Sequence, residues 1–176
     1  MKFTLDEYNQ TSVGAAYVSK EEGKYFFHRF TKDEEKLYMD RQEETGIGYF
    51  PISQFTAGIK LRFKTNSEKL YIKAEMHNKE NQYFSFDVFE DGEVIGYMDN
   101  FSHEEIPPLY PRADFRQGIF EKEFNLKKGE SEIIVCFPFN SEIKVHEVSV
   151  DDGAFIIPVE KKPKKIIFYG DSITQG

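Results

Sequence analysis

The sequence predicts an all-β fold, an antiparallel two-sheet β-sandwich with jelly-roll connections, and three observations lead there. Apolar residues recur at every second position rather than at helical spacing, as they do in strands with one face in a core and the other in water. Clusters of turn-forming residues separate the alternating runs at short intervals. Ahead of residue 165, no stretch shows the apolar stripe of an amphipathic helix of ordinary length.

Taken in order, the first strands are expected at 15–19, 25–30 and 36–39. In 59–64 the alternation is complete: Ile59, Leu61 and Phe63 fall on one face and Lys60, Arg62 and Lys64 on the other. The run 70–76 repeats the pattern, and the turn-rich Thr65-Asn66-Ser67-Glu68 between the two predicts a hairpin. Phe84, Phe86 and Val88 alternate up to Asp91-Gly92, after which 94–98 resumes as a strand. Asp-Gly between two such runs marks a hairpin because both residues tolerate positive φ. Strands at 118–126, 131–137, 143–150 and 154–157 complete the set. A long loop, 101–117, carries Pro107, Pro108 and Pro111. Loops of this length are often functional, although a solvated crossover between sheets is the plainer reading.

Composition bounds the partners. The chain has 176 residues, 39% of them hydrophobic, with 18 Phe and 10 Tyr, enough to bury a core without disulfides or metals. With 31 acidic against 23 basic residues the net charge is −8, so the broad positive field needed for nucleic acid or an anionic membrane is missing. No stretch approaches the roughly 18 apolar residues of a membrane span, and the first ten residues lack a signal-peptide core. The expectation is a cytoplasmic protein, unless a leader has been lost. The single cysteine, Cys136, sits in the apolar run 133–137 and reads as a small buried hydrophobe. No metal site and no cofactor are expected. His103-Glu104-Glu105-Ile106-Pro107 lacks the second histidine of a zincin helix, and the acidic clusters Asp33-Glu34-Glu35, Glu43-Glu44 and Asp151-Asp152 have no EF-hand spacing and read as solvated turns.

Composition shifts at Pro158-Val159-Glu160-Lys161-Lys162-Pro163-Lys164-Lys165, where prolines and like charges oppose both helix and central strand. The reading is a sandwich domain over 1–158, a linker over 159–165, and the opening of a second domain over 166–176. Ile166-Ile167-Phe168-Tyr169 is continuously apolar, as a strand buried on both faces of a parallel sheet would be, and Gly170-Asp171-Ser172-Ile173-Thr174-Gln175-Gly176 follows at once. A serine nucleophile needs its hydroxyl exposed at the end of a buried strand, near backbone N–H groups that can hold an oxyanion. A strand running into Gly-Asp-Ser and a helix start provides that position.

These residues together, from the Lys-rich linker to Gly176, resemble the first block of the SGNH, or GDSL-type, esterase and acylhydrolase family. Many of its bacterial members, such as carbohydrate esterases of family 2, carry a jelly-roll domain ahead of that block. The resemblance implies a truncated first strand of an α/β SGNH domain behind the sandwich. It makes Ser172 the nucleophile and an oxyanion donor through its N–H, with Asp171 shaping the turn. It also implies a C-terminal catalytic domain that supplies an Asp-x-x-His base. None of His28, His77, His103 and His146 follows Ser172 or forms that motif, so the 176 residues alone are expected to be inactive, and the parent enzyme to act on an acylated carbohydrate or a related small ester. With that strand unpartnered, residues 159–176 are expected to be disordered or to borrow a sheet edge from this molecule or a neighbour, with self-association through the 166–176 tail.

The alternative is a non-catalytic sugar-binding module, since sugar rings stack on aromatic faces. Its binding face would combine tyrosines such as Tyr110 with Arg112, Asp114 and Arg116. Loss of polysaccharide retention on Tyr110→Ala would support it. The absence of tryptophan argues against it.

Overall fold

The structure is a computed structural model that describes residues 1–46, 48–77, 84–100, 116–139 and 141–160. Its elements run α1 (Leu5–Thr11), β1 (Ser12–Val13), β2 (Tyr17–Glu21), β3 (Lys24–His28), α2 (Lys32–Thr45), α3 (Phe50–Ser53), β4 (Lys60–Thr65), β5 (Lys69–Met76), β6 (Ser85–Glu90), β7 (Glu93–Asp99), β8 (Gly118–Asn125), β9 (Ser131–Cys136), β10 (Lys144–Val150) and β11 (Ile157–Pro158). One antiparallel sheet has the order β1-β4-β9-β6-β7, with β11 also paired to β4; the other has the order β2-β3-β10-β5-β8. The expected all-β two-sheet sandwich is what forms.

Period-2 alternation places the core. Leu61 and Phe63 of β4, Ile133 and Val135 of β9, and Phe86 and Val88 of β6 are fully buried from one sheet, and Leu70, Ile72, Val145 and Val148 face them from the other. Each such side chain contributes about 1.5–3 kcal/mol relative to exposure. The phenylalanines meet edge to face through the middle, with Phe137 contacting Phe27 at 4.7 Å and Phe86 at 5.0 Å. Outward cations of β4 pair with β9 and the residue just ahead of it: Arg62 bonds Glu132 at 2.7 Å and Lys64 bonds Glu130 at 2.8 Å. The Asp91-Gly92 turn forms as expected, with φ of 50° and 87°, and it pairs Glu90 with Glu93 across β6 and β7.

Three expectations need correction. Residues 36–39 are helical, inside α2, because Thr31 and Glu34 form a capping box: the Thr31 N–H donates to Glu34 Oε2 at 2.8 Å, and the Glu34 N–H donates back to Thr31 Oγ1 at 3.4 Å. Asp33, Glu34 and Glu35 are then the acidic first turn that suits the helix dipole. No α2 residue is buried, so no apolar stripe betrays it in the sequence. The connection over 65–68 is not a hairpin, since β4 and β5 lie in different sheets. It is a corner held by Asp151, whose Oδ2 accepts from Ser67 Oγ and from the Glu68 N–H, each at 2.8 Å. The last strand is only Ile157–Pro158, and it fills the β4 edge beyond β1, where a proline is tolerated. The short helix α1 was also absent from the sequence expectation, yet it carries a capping box of its own, Thr4 with Glu7.

Where β3 stops pairing with β10 at Val145, the N-terminal segment takes over the edge. Lys2 bridges Ser149, the Phe3 N–H donates to the Val148 carbonyl at 2.9 Å, and the Val148 N–H donates to the Tyr8 hydroxyl at 2.8 Å. Tyr8 of α1 is thereby fully buried and closes one end of the core.

Candidate functional site

Of the residues singled out in the sequence, Ser172, Asp171, Tyr110, Arg112 and Asp114 lie outside the described residues, as do the expected strand at 166–169 and most of the 101–117 loop. Arg116 is described. Its guanidinium sits 4.7 Å above the Phe120 ring and donates to the Ile119 carbonyl at 3.0 Å, so it lies against the start of β8. Cys136 is half-buried rather than part of the core as expected, because Ile133 and Val135 take the inward positions of β9 and leave it on the other face; partial burial pushes its thiol up. Among the described residues no group of three or more His, Cys, Asp or Glu could hold a metal ion, and no helix is long and apolar enough to cross a membrane.

Two polar constellations on the outer face of the β2-β3-β10-β5-β8 sheet were not legible as motifs. In the first, Glu75 of β5 is 5% exposed, and its two oxygens accept from Lys24 Nζ of β3 and His146 Nε2 of β10, each at 2.8 Å. Burial alone would raise this carboxyl; the bonds from Lys24 and His146 outweigh it and hold the group below the usual carboxylate range. A cavity of about 230 Å³ beside it is lined by Glu75, His77, Glu142 and Lys144.

The second constellation joins β2, β3 and α2. In the β2–β3 hairpin Tyr17 lies opposite His28 and Ser19 opposite Phe26, so Tyr17, Ser19 and His28 share the outer face. Ser19 Oγ is 2.9 Å from His28 Nε2, and His28 Nδ1 is 2.8 Å from Glu35 Oε1. The Tyr17 hydroxyl donates to Glu35 Oε2 at 2.8 Å, and its ring stacks on the imidazole at 4.1 Å and 5°. Burial, together with that bond to Glu35, raises the Tyr17 phenol. The side chains of His28 and Glu35 are each 12% exposed. The sequence places these residues 9 and 7 positions apart, and only the hairpin register and the helix cap at Thr31 bring them together.

No protein-family model matches the chain, and no curated protein matches it. Among solved structures it is similar to the salicylyl-acyltransferase SsfX3 of a tetracycline biosynthetic pathway, with a TM-score of 0.63 and 20% identity over 86% of this chain and 40% of that one. It is also similar to a protein from Bacteroides ovatus assigned as a GDSL-like lipase, with a TM-score of 0.52 and 20% identity over 88% of this chain and 42% of the other. The chain thus spans about two-fifths of the length of either. At this identity the likeness is one of fold: the sandwich built by these residues also occurs in an acyltransferase and in a protein assigned as a GDSL-like lipase.

Proposed function

We propose that this chain is the N-terminal β-sandwich of a GDSL-type acyl-ester hydrolase or acyltransferase, in which Ser172 is the nucleophile and Asp171 shapes its turn. The observation that carries the reading is a coincidence of two independent signals. The sandwich fold is shared over more than four-fifths of the chain with two proteins named for acyl chemistry. The Gly170-Asp171-Ser172-Ile173 segment follows its last strand by eleven residues. In this reading 159–165 is a linker, 166–169 the first strand of the catalytic domain, and the Ser172 N–H an oxyanion donor. An Asp-x-x-His base comes from further along the protein. The ester is an acylated carbohydrate or a related small molecule, with Tyr110, Arg112, Asp114 and Arg116 of the 101–117 region toward the substrate. An exposed strand at 166–176 would also give the isolated chain a self-associating edge.

The test is to express these 176 residues with the coding sequence that follows and to measure p-nitrophenyl acetate turnover. The longer protein is expected to turn it over well above the rate of these 176 residues, and Ser172→Ala to remove that gain. A following sequence without Asp-x-x-His, or turnover by the 176 residues alone that Ser172→Ala abolishes, overturns the reading.

A further inference from the structure

Glu35 fixes the proton positions around His28. A carboxylate offers only lone pairs; its Oε2 takes the Tyr17 hydroxyl, so the imidazole nitrogen facing Oε1 must carry a hydrogen. With Nδ1–H directed at Glu35, Nε2 of the neutral ring is an acceptor, and the Ser19 hydroxyl at 2.9 Å is its donor. Serine donating to imidazole, and imidazole donating to a carboxylate, is the order that general-base activation of a serine requires. The stacked Tyr17 ring and the hairpin register hold the imidazole in place.

We propose that Ser19 is a second nucleophilic serine, activated by His28 and Glu35, that takes an acyl group from aryl esters and a phosphonyl group from fluorophosphonates independently of Ser172. In the acyl case a bond forms between Ser19 Oγ and the ester carbonyl carbon, and the bond from that carbon to the aryl oxygen breaks; in the phosphonyl case Ser19 Oγ bonds phosphorus, the P–F bond breaks and fluoride leaves. The hydroxyl proton passes to His28 Nε2 and then to the leaving oxygen, while Glu35 stabilises the imidazolium. Water, with His28 again as base, returns Ser19 and releases the acid.

Backbone geometry sets the substrate class. The Val18 N–H points off the sheet edge to Asn9 Oδ1 at 2.9 Å, so alternation turns the Ser19 N–H into the β2–β3 ladder and the Lys20 N–H outward. The backbone donor left for an oxyanion is therefore that of Lys20, the residue after the nucleophile. Loss of one oxyanion donor lowers rates by about 10²–10³-fold, which confines Ser19 to esters and phosphonates with good leaving groups. A serine that merely pins α2 to the sheet is an ordinary alcohol and would react with neither.

The test labels the 176-residue chain carrying Ser172→Ala with a fluorophosphonate and maps the adduct by peptide mass. One adduct on Ser19 is expected, absent in Ser19→Ala and formed at least tenfold more slowly in His28→Gln and Glu35→Gln. The same chain in urea supplies the unactivated reference, so a variant that fails to fold leaves the comparison intact. No adduct on Ser19, or labelling no faster than in urea, overturns the proposal without bearing on Ser172.

Discussion

His146 is the extra residue of a bulge in β10, and its Nε2 lies 2.8 Å from Glu75 Oε2 on the neighbouring strand. Val145 pairs with Ala74 and Glu147 with Lys73, so two steps along β10 match one along β5. The cause is in the apolar phase: Ile143 and Val145 occupy odd positions, Val148 and Val150 even ones, and all four are buried. One inserted residue is needed to bring both pairs to the core face, and a bulge provides it and re-aims the side chain there.

Glu75→Ala should therefore destabilise the fold by about 3 kcal/mol, the lower end for a broken buried pair, because Lys24 and His146 keep partial access to water. The pH dependence follows from the lowered carboxyl. Its stabilisation is present above the ordinary carboxylate range and is lost as pH falls through the depressed folded value. Thermal melts from neutral pH into acid should show a shallower acid limb in Glu75→Gln than in the parent; parallel limbs would contradict this.

Tyr8→Phe leaves the buried Val148 N–H without its acceptor and should cost about 1–3 kcal/mol by denaturant titration. Burial raises the Tyr8 phenol far above its ordinary value, so the neutral form is favoured in the fold. That stabilisation is complete below about pH 10 and is lost as pH rises beyond it. The alkaline limb of the melting profile should be flatter in Tyr8→Phe.

Thr31→Ala removes one half of the α2 capping box, at about 1 kcal/mol. Because α2 buries no residue, the loss should stay local. Hydrogen exchange of α2 amides should accelerate about fivefold, with the global melting temperature little changed.

Gly14 holds φ at 87°, and a Cβ placed there would stand 2.4 Å from the Gly58 carbonyl oxygen. Both atoms belong to backbone, so relief needs a shift of the chain beside β1. Gly14→Ala should lower the unfolding free energy by more than about 1 kcal/mol, whereas Gly129→Ala, with φ of 100° but open space around it, should lose less.

Nine of the eleven strands among the described residues could be located from apolar alternation, because a half-buried strand writes its burial directly into a period of two. The helices α1 and α2 had another signature, Thr-x-x-Glu at Thr4 and Thr31, which apolar periodicity does not register. The phase slip between Val145 and Val148 was likewise a legible sign of the bulge at His146. Alternation and turn residues thus determined the all-β class, the core residues and the Asp91-Gly92 hairpin, since these depend on neighbours along the chain. Tertiary structure alone decided that the chain crosses between sheets at 65–68, that Asp151 holds that corner, and that Ser19, His28 and Glu35 meet. Those contacts depend on register and on the docking of a helix that has no apolar face, and neither leaves a period in the sequence.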